Sequence, residues 1–303
     1  MNITIRQLKV FLQVSNQQSF TQAAKYLHLT QPAISMQIKQ LEEVVGHQLI
    51  SKHGRKIQLT DAGEEILQLS RNILQDIEDS KNHLEQIVSG QQGKLKLAVA
   101  TTVASVATKL LASFNEIYPD MRINFDVTNR ENLIKQLQDN KADIVLMGQP
   151  PEQLQLISTK FMENPLVIIS SPNHPLACQT RPATIKQLLE HGFILREPGS
   201  GTRMALERMF ASKELNLEST MEMNSNDAIK QSVAAGLGLA VVSIHTLGNE
   251  IHDHKLAIVE AEGFPLQRSW YLVQNIGKRL SPLAEKFKDY IINEGRKMAK
   301  NLD

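Results

Sequence analysis

Apolar positions in the first sixty residues recur at helical spacing in three separate stretches. Ile5, Leu8, Phe11 and Leu12 make the first stripe, opened by Thr4 as a cap and closed by the polar run at residues 15–18. Ser19 opens a second helix with Gln22 three residues on, a capping-box pattern, followed by Ala23, Ala24 and Leu27. Thr30 caps a third, with Pro32 in the first turn, where a missing N–H costs nothing. Its inner stripe is Ile34, Ile38, Leu41 and Val45; its outer face carries Gln31, Ser35, Met36, Lys39 and Gln40. Residues 48–59 then alternate as two short strands about the basic turn Lys52-His53-Gly54-Arg55-Lys56.

Thr60 caps a long helix predicted over residues 61–89. Ile66, Ser70, Ile73, Ile77, Ser80, Leu84 and Ile87 fall on heptad seam positions, five of the seven apolar. Such a stripe needs a partner surface, either the helix's own domain or the same helix of a second subunit. Gly90-Gln91-Gln92-Gly93 breaks the helix as a hinge. Beyond it the texture becomes βαβαβ: strands at 95–100, 123–128 and 144–148, helices at 104–117 and 132–140. A second run begins near Glu163, with strands at 166–170, 193–195, 221–223 and 239–242 and helices near 185–190, from Thr202 and from Asn226. A last strand at 270–273 and helix at 282–294 return to the first lobe. The expected sheet is mostly parallel.

Composition changes this picture little until it is divided along the chain. With 303 residues, 42% hydrophobic and 21% charged, the chain is long enough for two or three packed units and too apolar for disorder. One cysteine, Cys178, excludes an internal disulfide or a thiolate metal cluster. The N-terminus shows no signal-peptide core and no membrane span is expected, so a cytoplasmic location is the expectation. Residues 1–60 hold seven Lys/Arg against two acids, a charge of +5, so a net +1 leaves −4 for the rest. A basic module for a polyanion joined to an acidic module with another task fits that asymmetry.

Two short helices, the second with a polar face uncharged but for Lys39, suit either a plain three-helix bundle or a helix-turn-helix whose second helix enters the major groove. The strand pair favours the latter, as a wing able to lay Lys52, Arg55 and Lys56 on phosphates. Ser19-Phe20-Thr21-Gln22-Ala23-Ala24, Leu29-Thr30-Gln31-Pro32-Ala33-Ile34-Ser35, Gln40-Leu41-Glu42 and Leu59-Thr60-Asp61-Ala62-Gly63 resemble the signature of the LysR-type transcriptional regulators. The resemblance spans the whole N-terminal segment. It departs at Ile50, where the family usually has Phe, and at Met36, where many members have Arg.

The expected architecture is α+β overall. A winged helix-turn-helix DNA-binding domain (1–60) and a linker and dimerisation helix (61–89) precede a two-lobed α/β effector domain (90–303) resembling a periplasmic-binding-protein fold. Lobe I is about 93–161 and 268–303, lobe II about 162–267. The DNA-facing residues expected on these grounds are Ser19, Thr21, Gln22, Thr30, Gln31, Pro32, Ser35, Met36, Lys39, Lys52, Arg55 and Lys56. The seam residues are Ile66, Ile73, Ile77, Leu84 and Ile87. The resemblance implies promoter DNA, a small-molecule effector, a dimer of dimers and RNA polymerase as partners.

In α/β sheets ligands sit beyond the carboxyl ends of strands, against helix N-termini. Three places qualify: Thr101-Thr102, read as capping a helix; Thr128-Asn129; and Pro198-Gly199-Ser200-Gly201-Thr202-Arg203, where backbone N–H groups and Arg203 would hold an anion. Gln149 joins them at the end of the third strand. The last turn reads equally as a plain helix cap, and it lacks the Gly-Lys-Ser/Thr ending of a Walker loop. Met147-Gly148-Gln149-Pro150-Pro151, Asn173-His174-Pro175-Leu176-Ala177 and Leu195-Arg196-Glu197-Pro198-Gly199-Ser200-Gly201-Thr202-Arg203 resemble the subgroup that regulates RuBisCO and Calvin-cycle operons. That likeness implies a phosphorylated metabolite or NADPH as effector, and no cofactor. A regulator of another metabolic operon, or a solute-binding module without DNA, are the alternatives. An enzyme is not expected: His245, His252 and His254 with Asp253 lack metal-site spacing, and Ser200 lacks a nucleophile-elbow setting.

Overall fold

The computed structural model describes residues 2–53, 56–89 and 94–300. It divides into two units, Met1–Gly90 with Gln138–Lys141, and Gln91–Leu137 with Ala142–Asp303.

In the first unit, α1 (Ile5–Gln17) opens with a complete capping box: Gln7 N donates to Thr4 Oγ1 at 3.2 Å and Thr4 N to Gln7 Oε1 at 2.9 Å. Before α2 (Phe20–Tyr26), Ser19 Oγ accepts from Gln22 N at 3.3 Å, the serine's half of the box expected there. Thr30 stands at the N-cap of α3 (Gln31–Val45) without a side-chain cap bond, contrary to expectation; Pro32, which donates nothing, lies in the same first turn. Ile34, Ile38 and Leu41 turn inward onto Phe11, Val14, Ala23 and Ala24. The alanines keep the helices close, because a side chain of one carbon adds little thickness.

Past Gly46, whose φ of +78° ends α3, Glu42 accepts from Leu49 N at 2.8 Å and Ile50 N at 3.2 Å. That carboxylate anchors β1 (Ile50–His53), which pairs antiparallel with β2 (Lys56–Leu59) in the expected wing. Ile50 lies in the head core, an aliphatic filling of the position the family usually gives to Phe. Thr60 Oγ1 accepts from Gly63 N at 3.0 Å and so caps α4 (Asp61–Ser89). Ile66 and Leu67 of α4 are buried in the head's own core, which removes Ile66 from the proposed seam. Ser70 is also buried and donates back to Ile66 O at 2.6 Å. Further along, Ile73 is half-buried, Ile77 is 43% exposed and Leu84 63% exposed. The side chain of Ile87, like those of Lys52, Arg55 and Lys56, and the Gly90–Gly93 hinge lie outside the described residues.

The second unit has two lobes. The first is a five-stranded sheet in the order β4 (Arg122–Thr128), β3 (Lys94–Ala100), β5 (Ile144–Met147), β12 (Ser269–Asn275), β6 (Leu156–Glu163). Only β4, β3 and β5 are parallel; β12 is antiparallel to both neighbours, a correction to the mostly parallel sheet expected. Leu95, Leu97 and Val99 pack on one face with Phe114 of α5 (Ala104–Ile117) and Phe287 of α10 (Pro282–Lys300). On the other face Ala98, Val145 and Met147 meet Leu133 and Leu137 of α6 (Arg130–Gln138).

The second lobe joins β7 (Leu166–Ser170) antiparallel to β10 (Ala240–Ser243) and β11 (Ala257–Val259). β8 (Phe193–Arg196) and β9 (Ser219–Met223) run parallel, bridged to the rest through Phe193 and Leu239. Helices α7 (Ile185–Leu189), α8 (Gly201–Ala211) and α9 (Asn226–Ala234) cover them. The chain passes between lobes along the paired β6 and β12, where Asn164 N donates to Arg268 O at 2.8 Å. Two strands escaped the hydrophobic pattern. β6 is an edge strand with mostly solvent-facing residues, and β11 has three residues, too few to show a period.

Candidate functional site

The carboxyl ends of β3, β4 and β5 bring Thr101, Thr102, Asn129, Arg130 and Gln149 to one wall of a cleft in the second unit. The first turns of α8 bring Ser200, Gly201 and Thr202 to the opposite wall, and the strand crossing supplies Asn164, Arg268, Ser269 and Trp270. About 690 Å³ of space free of protein atoms lies between these walls, open solvent included.

Most of the residues expected from sequence gather here, with four corrections. Thr101 and Thr102 do not cap α5, whose N-cap is Val103; Thr101 Oγ1 instead accepts from Arg196 Nη2 at 3.1 Å. Thr128 spends its hydroxyl on Asn132 Nδ2 at 3.1 Å and lies outside the cleft lining, while Asn129 Oδ1 accepts from Asn132 N as the cap of α6. Pro198 is exposed beside the cleft, and Gly199, at φ +83°, lines an adjoining groove against Glu131. Arg203 is no anion ligand: its guanidinium donates to Glu207 at 2.7 Å, to Glu222 at 2.6 Å and to Arg196 O at 2.9 Å. Those carboxylates raise its pKa and consume its charge. Ser200 does stand at the start of α8, buried and with no side-chain cap bond.

The cations of the cleft come from elsewhere. Arg196, 3% exposed, donates Nε and Nη2 to Glu197 at 2.8 and 3.0 Å and Nη1 to Asn226 at 2.7 Å. Its charge is thereby neutralised. Arg130, Arg208 and Arg268 line the same cleft and form no ion pair among the described residues. Arg130 Nη1 donates only to the Gln149 carbonyl, at 2.7 Å. Burial, and then the charges of Arg208 and Arg268, lower the Arg130 pKa; burial and Arg208 lower that of Arg268. Guanidinium stays protonated at physiological pH, so three mutually repelling positive charges face one cavity. No Asp, Glu, His, Lys or Cys is among the described residues of that lining. Nothing near residues 130, 208 or 268 in the sequence signals this convergence.

Trp270 forms part of the cleft lining and is fully buried behind it against His245, ring centroids 4.9 Å apart. His245 Nε2 lies 2.9 Å from Glu163 O, and burial lowers its pKa. His252 is exposed, 3.7 Å from Asp253, and the described residues hold no group of three metal-capable side chains. No described helix is long and apolar enough to cross a membrane.

On the head, Gln31, Pro32, Met36, Lys39 and Gln40 form the exposed face of α3. Gln31 Nε2 donates to Ser35 Oγ at 2.8 Å, and Lys39 lies 3.9 Å from Glu43. Thr21 and Gln22 are exposed on α2, and Ser19 and Thr30 stand at the helix caps already described.

A three-helix head with a hairpin wing, a long helix and a two-lobed α/β unit with a cationic cleft define a DNA-binding regulator with a small-molecule-binding domain. The chain belongs to the LysR family of transcriptional regulators: residues 5–64 match the bacterial regulatory helix-turn-helix protein, lysR family, and residues 89–296 the LysR substrate binding domain. A RuBisCO operon transcriptional regulator of Allochromatium vinosum is 43% identical over 298 residues, 98% of either chain. The HTH-type transcriptional activator CmpR of Synechocystis sp. is 39% identical, covering 96% of this chain and 95% of the relative. Among solved structures, the Synechocystis PCC6803 CcmR regulatory domain in complex with 2-PG (2-phosphoglycolate) is 37% identical with a TM-score of 0.65. It covers 68% of this chain and 98% of its own.

Proposed function

We propose that the interlobe cleft binds a small metabolite carrying phosphate or phosphate and carboxylate, and that its occupancy controls how the head engages promoters of carbon-fixation genes. The observation that carries this reading is the trio Arg130, Arg208 and Arg268, which share a cleft whose described lining holds no carboxylate. Like charges do not converge in a cleft for the sake of the unliganded fold, and an anion relieves the repulsion while satisfying guanidinium donors. Thr101, Thr102, Asn129, Gln149, Ser200, Gly201 and Thr202 supply neutral donors and acceptors around it. The related CcmR domain in complex with 2-PG supports a phosphorylated acid, and the RuBisCO operon regulator supports the choice of genes. The described lining carries hydroxyls, amides and guanidiniums, the groups that hold an anion by hydrogen bonds and charge.

On the DNA side, α3 is read as the recognition helix, with Gln31, Ser35, Met36 and Lys39 toward base edges and the wing residues Lys52, Arg55 and Lys56 toward phosphates. The exposed Ile77 and Leu84 of α4, with Ile73, pair with the same helix of a second subunit, and two such dimers form the working assembly in the cytoplasm beside RNA polymerase. Closure of the lobes on the effector then changes the spacing of heads and the bend of the promoter.

Calorimetric titration of the full chain with 2-phosphoglycolate, NADPH and the unphosphorylated glycolate, paired with footprinting upstream of its own gene, tests this. Saturable binding that alters footprint length or DNA bend is expected for a phosphorylated ligand. Unchanged heat, footprint and bend with every ligand overturn the effector reading, and a response only to an unphosphorylated metabolite points to another operon.

A further inference from the structure

Met36 is 54% exposed in the middle of the outer face of α3. Its inward neighbours Ile34 and Ile38 are buried, so its exposure is not a fault of the helix's apolar stripe. One turn before it on the same face is Pro32, also exposed, and one turn after it is Gln40. Polar groups flank this apolar pair: Gln31 donates to Ser35 at 2.8 Å, and the exposed Lys39 lies 3.9 Å from Glu43. The face therefore presents an apolar spot bordered by polar groups.

A major-groove edge offers donors, acceptors and one apolar feature, the thymine 5-methyl group. A thioether is a weak acceptor and no donor, so Met36 gains nothing from guanine O6 and N7, adenine N6 or cytosine N4, and burying those edges against it strands their hydrogen bonds. We infer that Met36 is a specificity-determining residue that selects a thymine at one position of each half-site by packing its side chain on the 5-methyl group. This inference rests on the placement of α3 in the major groove. Where an arginine at this position would ask for guanine, the methionine asks for an A·T pair with the thymine methyl directed at α3.

The test is a scan of the operator upstream of the protein's own gene, replacing each thymine in turn by deoxyuridine, which removes only the methyl group. Binding of the full chain is measured by gel shift. Wild-type affinity is expected to fall roughly fourfold, the equivalent of one buried methyl, at one thymine per half-site. Met36→Gln loses sensitivity at that thymine alone, and Met36→Leu retains it; because the side chain is exposed, both variants fold. Effects of Met36→Gln and deoxyuridine that multiply independently at every thymine overturn the inference. Ser35→Ala and Lys39→Ala serve as the separate check on helix placement. If they bind normally, α3 does not read the groove; if they bind weakly while no thymine couples to Met36, only the methyl contact is wrong.

Discussion

Arg196 Nη2 donates to Thr101 Oγ1 at 3.1 Å, joining the end of a strand in one lobe to the end of a strand in the other. The guanidinium is buried, three of its five N–H donors go to Glu197 and Asn226, and the threonine hydroxyl takes a fourth. Thr101→Val leaves one charged N–H unmatched at almost constant volume. A loss of about 1–2 kcal/mol follows for the second unit, seen as a lower urea midpoint. Thr101→Ser restores most of it, and Thr102→Val, which breaks no such bond, changes it far less.

Arg208 repels both Arg130 and Arg268, which places a functional charge where it costs stability. Arg208→Gln is expected to weaken 2-phosphoglycolate binding at least tenfold while leaving the unliganded melting temperature unchanged or slightly higher. Arg203→Gln, by contrast, loses its pairs with Glu207 and Glu222 and leaves affinity within about twofold, since that side chain does not enter the cleft. Calorimetry and thermal unfolding of both variants check the pair of outcomes.

Gly63 lies in the first turn of α4, where a Cβ atom would come within 2.1 Å of the Leu49 carbonyl oxygen. Alanine is worth up to about 1 kcal/mol more than glycine in a helix, yet here the clash is with backbone that Glu42 and Thr60 hold. Gly63→Ala therefore destabilises the head by about 3 kcal/mol. Hydrogen exchange of α3 and β1 amides reads the loss, while amides of the second unit keep their protection.

Glu250 accepts from Lys230 Nζ and from Gly248 N, both at 2.6 Å, and Lys230 above all lowers its pKa from 4.5 to about 2. A carboxylate with a depressed folded-state pKa contributes stability that is present above about 4.5 and lost as pH falls toward 2. Lys230→Met, which also removes the 3.2 Å pair with Asp227, is expected to be less stable than wild type at neutral pH. The difference narrows between pH 4.5 and 2. Urea midpoints measured across that range check it, and a constant difference would contradict the assignment.

The head was legible in the sequence because its determinants are local. Thr4 with Gln7, the stripe Ile34, Ile38 and Leu41, and Thr60 before Gly63 are relations across three or four residues, the span of one helical turn. Ile66 misled for the same reason: heptad spacing states which residues share a face, not which body that face meets, and the head claims Ile66 before a second helix can. In the second unit Arg203 and Arg208 belong to one helix, and periodicity alone gives no ground to prefer the second.

By itself the sequence determined most of the elements and their order, the caps at Thr4, Ser19 and Thr60, the wing of the head, the strand ends next to Thr101 and Asn129, and the start of α8 at Ser200. Only the tertiary structure decided which charges share a cavity. Arg130, Arg208 and Arg268 meet because β12 returns from the second lobe between β5 and β6, and because α8 turns one side to the cleft and spends the other on Glu207 and Glu222. A local pattern is satisfied within one element, whereas the energy of a charge depends on everything within several ångströms of it, whatever the distance along the chain.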